Sequence, residues 1–235
     1  RDGEIGHCKD FLFDDDWWVI RYMVADTGRW IPKRRVLISP VFLGDPNWGS
    51  RRFPVDLSKE QVKNAPPLEE DRPLSRQHEL EMFRHYGYPY YWVGDSLWGP
   101  EATPAELKVR TESAAPGPEE GVGEGDPHLR SVKEVTGYHI AAMDGEIGHV
   151  EDFILDDETW SLRYMVVDTR NWLPGRKVLV SPTWVDEFDW SEDIAVVSLT
   201  QEEIRESPPF DPGEPINREY EGRLFDFYGR PVYWE

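Results

Sequence analysis

The sequence predicts a mainly β protein with short helices, arranged as two tandem copies of one small barrel, each followed by a helical extension. Three observations predict it. The chain repeats itself at a spacing of 142 positions, its apolar residues fall in short runs between Asp, Gly and Pro turns, and helix-capping signals close each copy. The repeat has no gaps: residues 2–92 lie on residues 144–234, and about forty of the ninety-one pairs are identical. A period this long marks two folding units rather than a solenoid. The expected boundaries are 1–92 for the first copy, 93–128 for a flexible acidic linker rich in Pro and Gly, and 129–235 for the second copy. Residues 129–143 (LRSVKEVTGYHIAAM) precede the second copy and have no counterpart before Asp2. Either the first copy lacks an opening strand or the chain has been trimmed ahead of Arg1.

The elements follow in order. Tyr138–Ala142 and Glu146–Leu155 should pair around Asp144-Gly145, a hairpin dipeptide. In the next strand Trp18, Ile20, Tyr22 and Val24 alternate with other residues, as do Trp160, Leu162, Tyr164 and Val166, so these sets should face inward. Residues 34–39 and 176–181 form an apolar strand ended by Pro40 and Pro182. A fourth strand is expected at 53–57 and 195–199. Ser58 with Gln61, and Thr200 with Glu203, are capping-box pairs that should each start a short helix stopped by a Pro-Pro pair. A second helix should run from Ser75 to Gly87 and from Asn217 to Gly229, presenting Met82, Phe83 and Tyr86, or Leu224, Phe225 and Tyr228, on one face. Aromatic tails follow, Tyr86–Trp92 and Tyr228–Trp234, and both should dock on the chain itself.

Charge narrows the function classes. With 46 acidic and 26 basic residues the net charge is -20, so the long-range field disfavours nucleic acid. The sequence contains no run of 18 apolar residues and no signal-peptide pattern, so direct membrane insertion is not expected. The single cysteine, Cys8, aligns with Val150 and reads as a small buried apolar side chain.

Several polar residues invite a chemical reading. His7 and His149 each have an Asp three positions on, Asp10 and Asp152, but an i, i+3 pair in a regular strand points to opposite faces unless a bulge intervenes. Ser39, His7 and Asp26 lack the nucleophile elbow or oxyanion loop that a triad needs. Asp14-Asp15-Asp16 and Asp156-Asp157-Glu158 lack the ligand spacing of a calcium loop and read as turns. No catalytic residue, metal site or cofactor is expected. Trp30 and Trp172 sit in loops next to basic residues, Arg34 and Arg176 among them, a composition suited to a partner anchor or to a lid over the barrel end. Tyr91, Trp92, Tyr233 and Trp234 in the tails complete the candidate partner-binding set.

Gly145–Pro182, reading GEIGHVEDF, an acidic turn, RYMVVD and LPGRKVLVSP, resembles the PRC-barrel family. That module forms the cytoplasmic domain of the photosynthetic reaction-centre H subunit and the C-terminal half of a ribosome-maturation factor. The resemblance covers about 60 residues per copy and extends through the helices in standalone bacterial members. It implies a compact six-stranded barrel used to dock on proteins. The sequence contains neither the membrane helix of H subunits nor the RNA-associated domain of the ribosome factor. The expected function is a non-catalytic protein-binding or assembly module with a protein partner. The alternative is an accessory component on the cytoplasmic side of a reaction-centre or other electron-transfer complex. The expected location is the cytoplasm, at the inner-membrane periphery under that alternative, with the two repeats packed as a pseudo-dimer.

Overall fold

The computed structural model describes residues 3–28, 30–32, 34–47, 49–68, 74–113, 128–169 and 175–234. Two sheets and a set of short helices make it mainly β. Residue contacts divide the chain into two units: Arg1–Lys133 with Asp156–Ser161, and Glu134–Leu155 with Leu162–Glu235.

The first unit holds β1 (His7–Asp14), β2 (Val19–Asp26), β3 (Arg35–Ile38) and β4 (Leu129–Ser131), in the antiparallel order β3-β2-β1-β4. Its helices are α1 (Lys59–Asn64), α2 (Arg76–Tyr86) and α3 (Pro104–Ser113). The second unit begins with α4 (Val132–Val135), which straddles the division. It continues with β5 (His139–Ala142), β6 (Gly145–Leu155), β7 (Leu162–Asp168), β8 (Lys177–Val180), β9 (Val185–Asp189) and β10 (Ile194–Val197). Their order is β8-β7-β6-β5-β10-β9, antiparallel except for the parallel pair β5 and β10. Helices α5 (Gln201–Glu206) and α6 (Arg218–Tyr228) close it. Both ladder orders are open among the described residues, which corrects the expectation of closed barrels.

Local chemistry explains the boundaries. Both capping boxes form, with Ser58 and Thr200 accepting from the third helical amide while Gln61 and Glu203 reach back. Gly87 and Gly229 end α2 and α6 in the left-handed conformation, where a Cβ would be strained. Ser39 and Ser181 each cap a 3-10 turn that Pro40 or Pro182 opens, so the strand cannot continue. Gly6 and Gly148 allow a close approach: a Cβ at either would lie 2.0 Å from the carbonyl oxygen of Asp26 or Asp168.

Three departures have physical causes. Strand β2 is buried on both faces from Val19 to Ala25, so alternation did not report its inner face. Trp18 and Trp160 precede their strands at φ 56° and 62°, in turns rather than at in-strand positions. Residues 53–57 form only an isolated bridge, Val55 to Leu43, where the second copy has β10. Unexpected from the sequence were β9 and the ordering of residues 93–113. In that stretch, read as linker, Trp98 is 1% exposed and Leu107 is fully buried. Trp98 Nε1 donates to Thr159 O at 2.8 Å.

Trp160 belongs to the first unit, with its ring 6.2 Å from Phe11 and 6.4 Å from Phe53. Trp160→Ala should cost about 3–5 kcal/mol. The loss should appear as new proteolytic cleavage within the first unit rather than within β6 to β10. Unchanged cleavage and melting would place the ring outside the core.

Candidate protein-binding site

The two copies differ most at one edge of one strand. In the second unit the N-terminal half of β6 is covered by β5: His139 pairs with His149, Ile140 with Gly148, Ala141 with Glu146 and Ala142 with Gly145. The other side of β5 lies parallel to β10, His139 beside Ile194 and Ile140 beside Ala195. Backbone bonds close the insertion at both ends, from Val150 N to Tyr138 O at 2.8 Å, His139 N to Asp193 O at 2.8 Å and Met143 N to Leu199 O at 3.0 Å. In the first unit β4 covers only Leu12–Asp14 of β1. Among the described residues no strand covers Gly3–Cys8 on that edge.

A cleft of about 740 Å³ lies there, between residues 3–8 and residues 50–57, with Met23, Ala25 and Leu57 among its apolar lining. Shifted by 142 positions, its two walls are the segments that hold β5. Burial registers the difference. Ile147, Val150, Ala195 and Val197 are fully buried, whereas their counterparts Ile5, Phe53 and Val55 are half-buried and Cys8 is exposed. The cysteine read as buried is thus exposed, because no strand among the described residues pairs beside it as β5 does beside Val150. Partial desolvation still pushes the Cys8 thiol up from its usual range. The wall loop keeps its shape without the strand: Arg51 and Asp193 share a left-handed conformation, φ 54° and 58°. Asn47 bridges Arg52 as Asp189 pairs with Ile194.

The residues put forward from the sequence lie elsewhere, with one exception. Trp30 is half-buried and donates from Nε1 to Ile5 O at 2.7 Å, which ties its loop to the cleft wall. Arg34 and Arg176 occupy matching positions, each guanidinium donating to the backbone carbonyl just after the first helix, Ala65 O or Ser207 O. Trp172 lies outside the described residues.

The tails dock within their own units. Tyr91 is 7% exposed, and Trp92 packs on Phe83 at 4.8 Å. Tyr233 is 37% exposed beneath the Arg163 guanidinium at 4.0 Å, and Trp234 meets Phe225 at 5.6 Å. Removing residues 231–235 should lower stability by about 1–3 kcal/mol through lost aromatic burial. A melting temperature equal to the parent's would deny the tail a structural role.

A carboxylate that the sequence reading missed organises both tails. Glu79 on α2 is fully buried and accepts from Tyr22 at 2.7 Å and Tyr91 at 2.8 Å, with Arg76 at 2.7 Å. Glu221 on α6 repeats this with Tyr164 at 2.9 Å, Tyr233 at 2.8 Å and Arg218 at 2.9 Å. Burial pushes the Glu79 carboxyl above its usual range, with Arg76 and the two tyrosine hydroxyls acting against it. All four members are identical between the copies, the one available signal, but a Glu on a helix ordinarily reads as solvated.

The other polar candidates serve structure. A bulge does interrupt β1 between Cys8 and Asp10, and β6 between Val150 and Asp152. Asp10 accepts from Ser131 Oγ and from Lys133 N at 3.1 Å, and Asp152 from Phe153 N at 2.8 Å, while His7 lines the cleft. Ser39 caps its 3-10 turn and Asp26 accepts from Gly28 N at 2.8 Å. In the acidic turn Asp14 is buried against Arg21, and Asp15 pairs with Arg130 at 2.8 Å. Asp15, Asp16 and His128 bring ligand atoms within 4.8 Å of one another, but Arg130 already offsets the charge of Asp15. No helix of the described residues is long and apolar enough to cross a membrane.

No protein-family model matches the chain, and no curated protein sequence matches it significantly.

Proposed function

We propose that the chain is a non-catalytic protein-binding module of tandem PRC-barrel type that takes up an extended segment of a partner protein. The observation that carries this reading is the cleft between residues 3–8 and 50–57 of the first unit, a concave surface with apolar lining. The same two walls hold a strand in the second copy and a cleft in the first. Adding a strand to a sheet edge is a general mode of peptide recognition: backbone bonds supply affinity and alternate side-chain pockets supply specificity. The occupant needs apolar residues at the positions of Ile140 and Ala142, which are 0% and 6% exposed in the second copy. The resemblance of Gly145–Pro182 to a docking barrel supports the same class. The reading includes pseudo-symmetric pairing of the copies, which their small cores favour, and a cytoplasmic setting.

Selection of peptides from a displayed random library against the full chain tests this reading. Selected ligands should share an alternating apolar pattern. They should lose binding to a variant in which residues 137–143 are grafted ahead of Gly3 to fill the cleft. Equal binding by the grafted variant would overturn the proposal.

A further inference from the structure

Two arginines that the sequence offers as partner contacts are turned inward, and each leaves a buried donor unused. Arg34, just ahead of β3, donates from Nη2 to Ala65 O past the end of α1, and Arg176, just ahead of β8, does the same to Ser207 O past the end of α5. In both copies the guanidinium Nε is buried and makes no hydrogen bond. The hydroxyl of the tyrosine that ends the second helix, Tyr86 on α2 or Tyr228 on α6, is buried and unbonded in the same way. Tyr86 as a whole is only 8% exposed. Burial pushes its hydroxyl above the usual range and Arg34 acts against that push, which places the guanidinium close to the hydroxyl. Buried polar groups left unpaired are costly and rare. The same two groups orphaned in both copies therefore require a shared partner. It must accept from Nε–H, which can only donate.

The copies differ at the adjoining position, and the difference identifies that partner. The second copy has Ser207, a buried residue whose Oγ donates to Ile204 O at 2.9 Å and keeps two lone pairs. Burial raises the Tyr228 hydroxyl, while Ser207 and Arg176 act against it, so all three groups converge. The serine hydroxyl is thus the atom that Arg176 Nε and Tyr228 Oη can share. At the matching place the first copy has Ala65, also buried, with Val62 as the counterpart of Ile204. A methyl group serves neither orphan, and it leaves free the volume of one hydroxyl.

We infer that the first unit binds a single water molecule beside Ala65, held by Arg34 Nε, Tyr86 Oη and Val62 O in the place of the Ser207 hydroxyl. Water fits the donor set. It accepts from Nε–H, pairs with the tyrosine hydroxyl and donates to the carbonyl, and three partners are usual for a buried water. The guanidinium disfavours a metal cation there, and the carbonyl oxygen disfavours an anion. The water joins the start of β3 to the ends of α1 and α2, which fixes the helical extension on its sheet. This inference is independent of the partner-binding reading.

The test is a crystal structure of the full chain that resolves ordered water, with two variants. The wild type should show one water within about 3.2 Å of both Arg34 Nε and Tyr86 Oη. Ala65→Ser should carry its new hydroxyl there and lose the water, and Ser207→Ala should gain a water beside Tyr228. In solution the Tyr86 hydroxyl proton should show a nuclear Overhauser effect to a long-lived water, absent in Ala65→Ser. Releasing that water should leave the melting temperature of Ala65→Ser unchanged or raise it by up to about 4 °C. A dry site in the wild type would overturn the inference, as would an Ala65→Ser variant that keeps the water or melts lower than the parent. A dry site in Ser207→Ala would overturn the equivalence of water and serine hydroxyl.

Discussion

Replacing Glu79 by Leu should destabilise the first unit by about 3–5 kcal/mol, because it strands two buried tyrosine hydroxyls and a guanidinium that now share one carboxylate. Glu79→Gln keeps a carbonyl acceptor for Tyr22 and Tyr91 and should cost less, about 1–3 kcal/mol. The pair also predicts a pH dependence of definite sign. The folded-state pKa of Glu79 is raised, so the folded chain binds its proton more tightly than the unfolded chain does. The contribution to stability is fully present below the unfolded value of about 4.3 and is lost as pH rises through the folded value. Urea denaturation across pH 3.5–8, a span of roughly the carboxylate range and above, should show the wild type losing this increment relative to Glu79→Gln. Parallel curves would mean that the carboxylate titrates normally.

Trp98→Ala should have a comparable effect, about 3–5 kcal/mol. The indole is buried, donates to Thr159 O, and covers Arg21, whose guanidinium lies 5.0 Å from its ring and 4.1 Å from that of Tyr91. Arg21 is itself buried against Asp14 and donates to Leu97 O, so removing the indole exposes a buried ion pair. Two units make a single transition an unsafe assumption. Hydrogen exchange resolved by segment should show loosening of β1, β2 and residues 96–101, with β6 to β8 unchanged. Unaltered exchange at 96–101 would show that the segment does not depend on its tryptophan.

What could be read from the sequence divides along the range of the interactions. Capping boxes, the helix ends at Gly87 and Gly229 and the strand exits at Ser39-Pro40 and Ser181-Pro182 are local chemistry, and each stands where expected. Ladder closure, the unit to which Trp160 belongs and the burial of Trp98 depend on long-range partners that periodicity does not report. Trp98 lies beyond the ninety-one duplicated positions in a stretch rich in Pro, Gly and acids, so composition masked one buried ring. The cleft itself was half legible. Residues 129–143 pointed to the strand that pairs with β6, whereas the lining that residues 50–57 give the cleft required the fold.

The central claim is that the edge held by β5 in the second copy borders, in the first, a cleft that takes up a partner's segment. Amide exchange at two matched residues tests it most directly in the unliganded chain. Val150 N–H donates to Tyr138 O at 2.8 Å, and Cys8 occupies the same position on the edge that no described strand covers. The account predicts that Val150 is protected to near the stability of its unit and that the Cys8 amide exchanges at least about a hundredfold faster, as an uncovered edge should. Equal protection at the two residues would show that the first edge is already covered and would contradict the account.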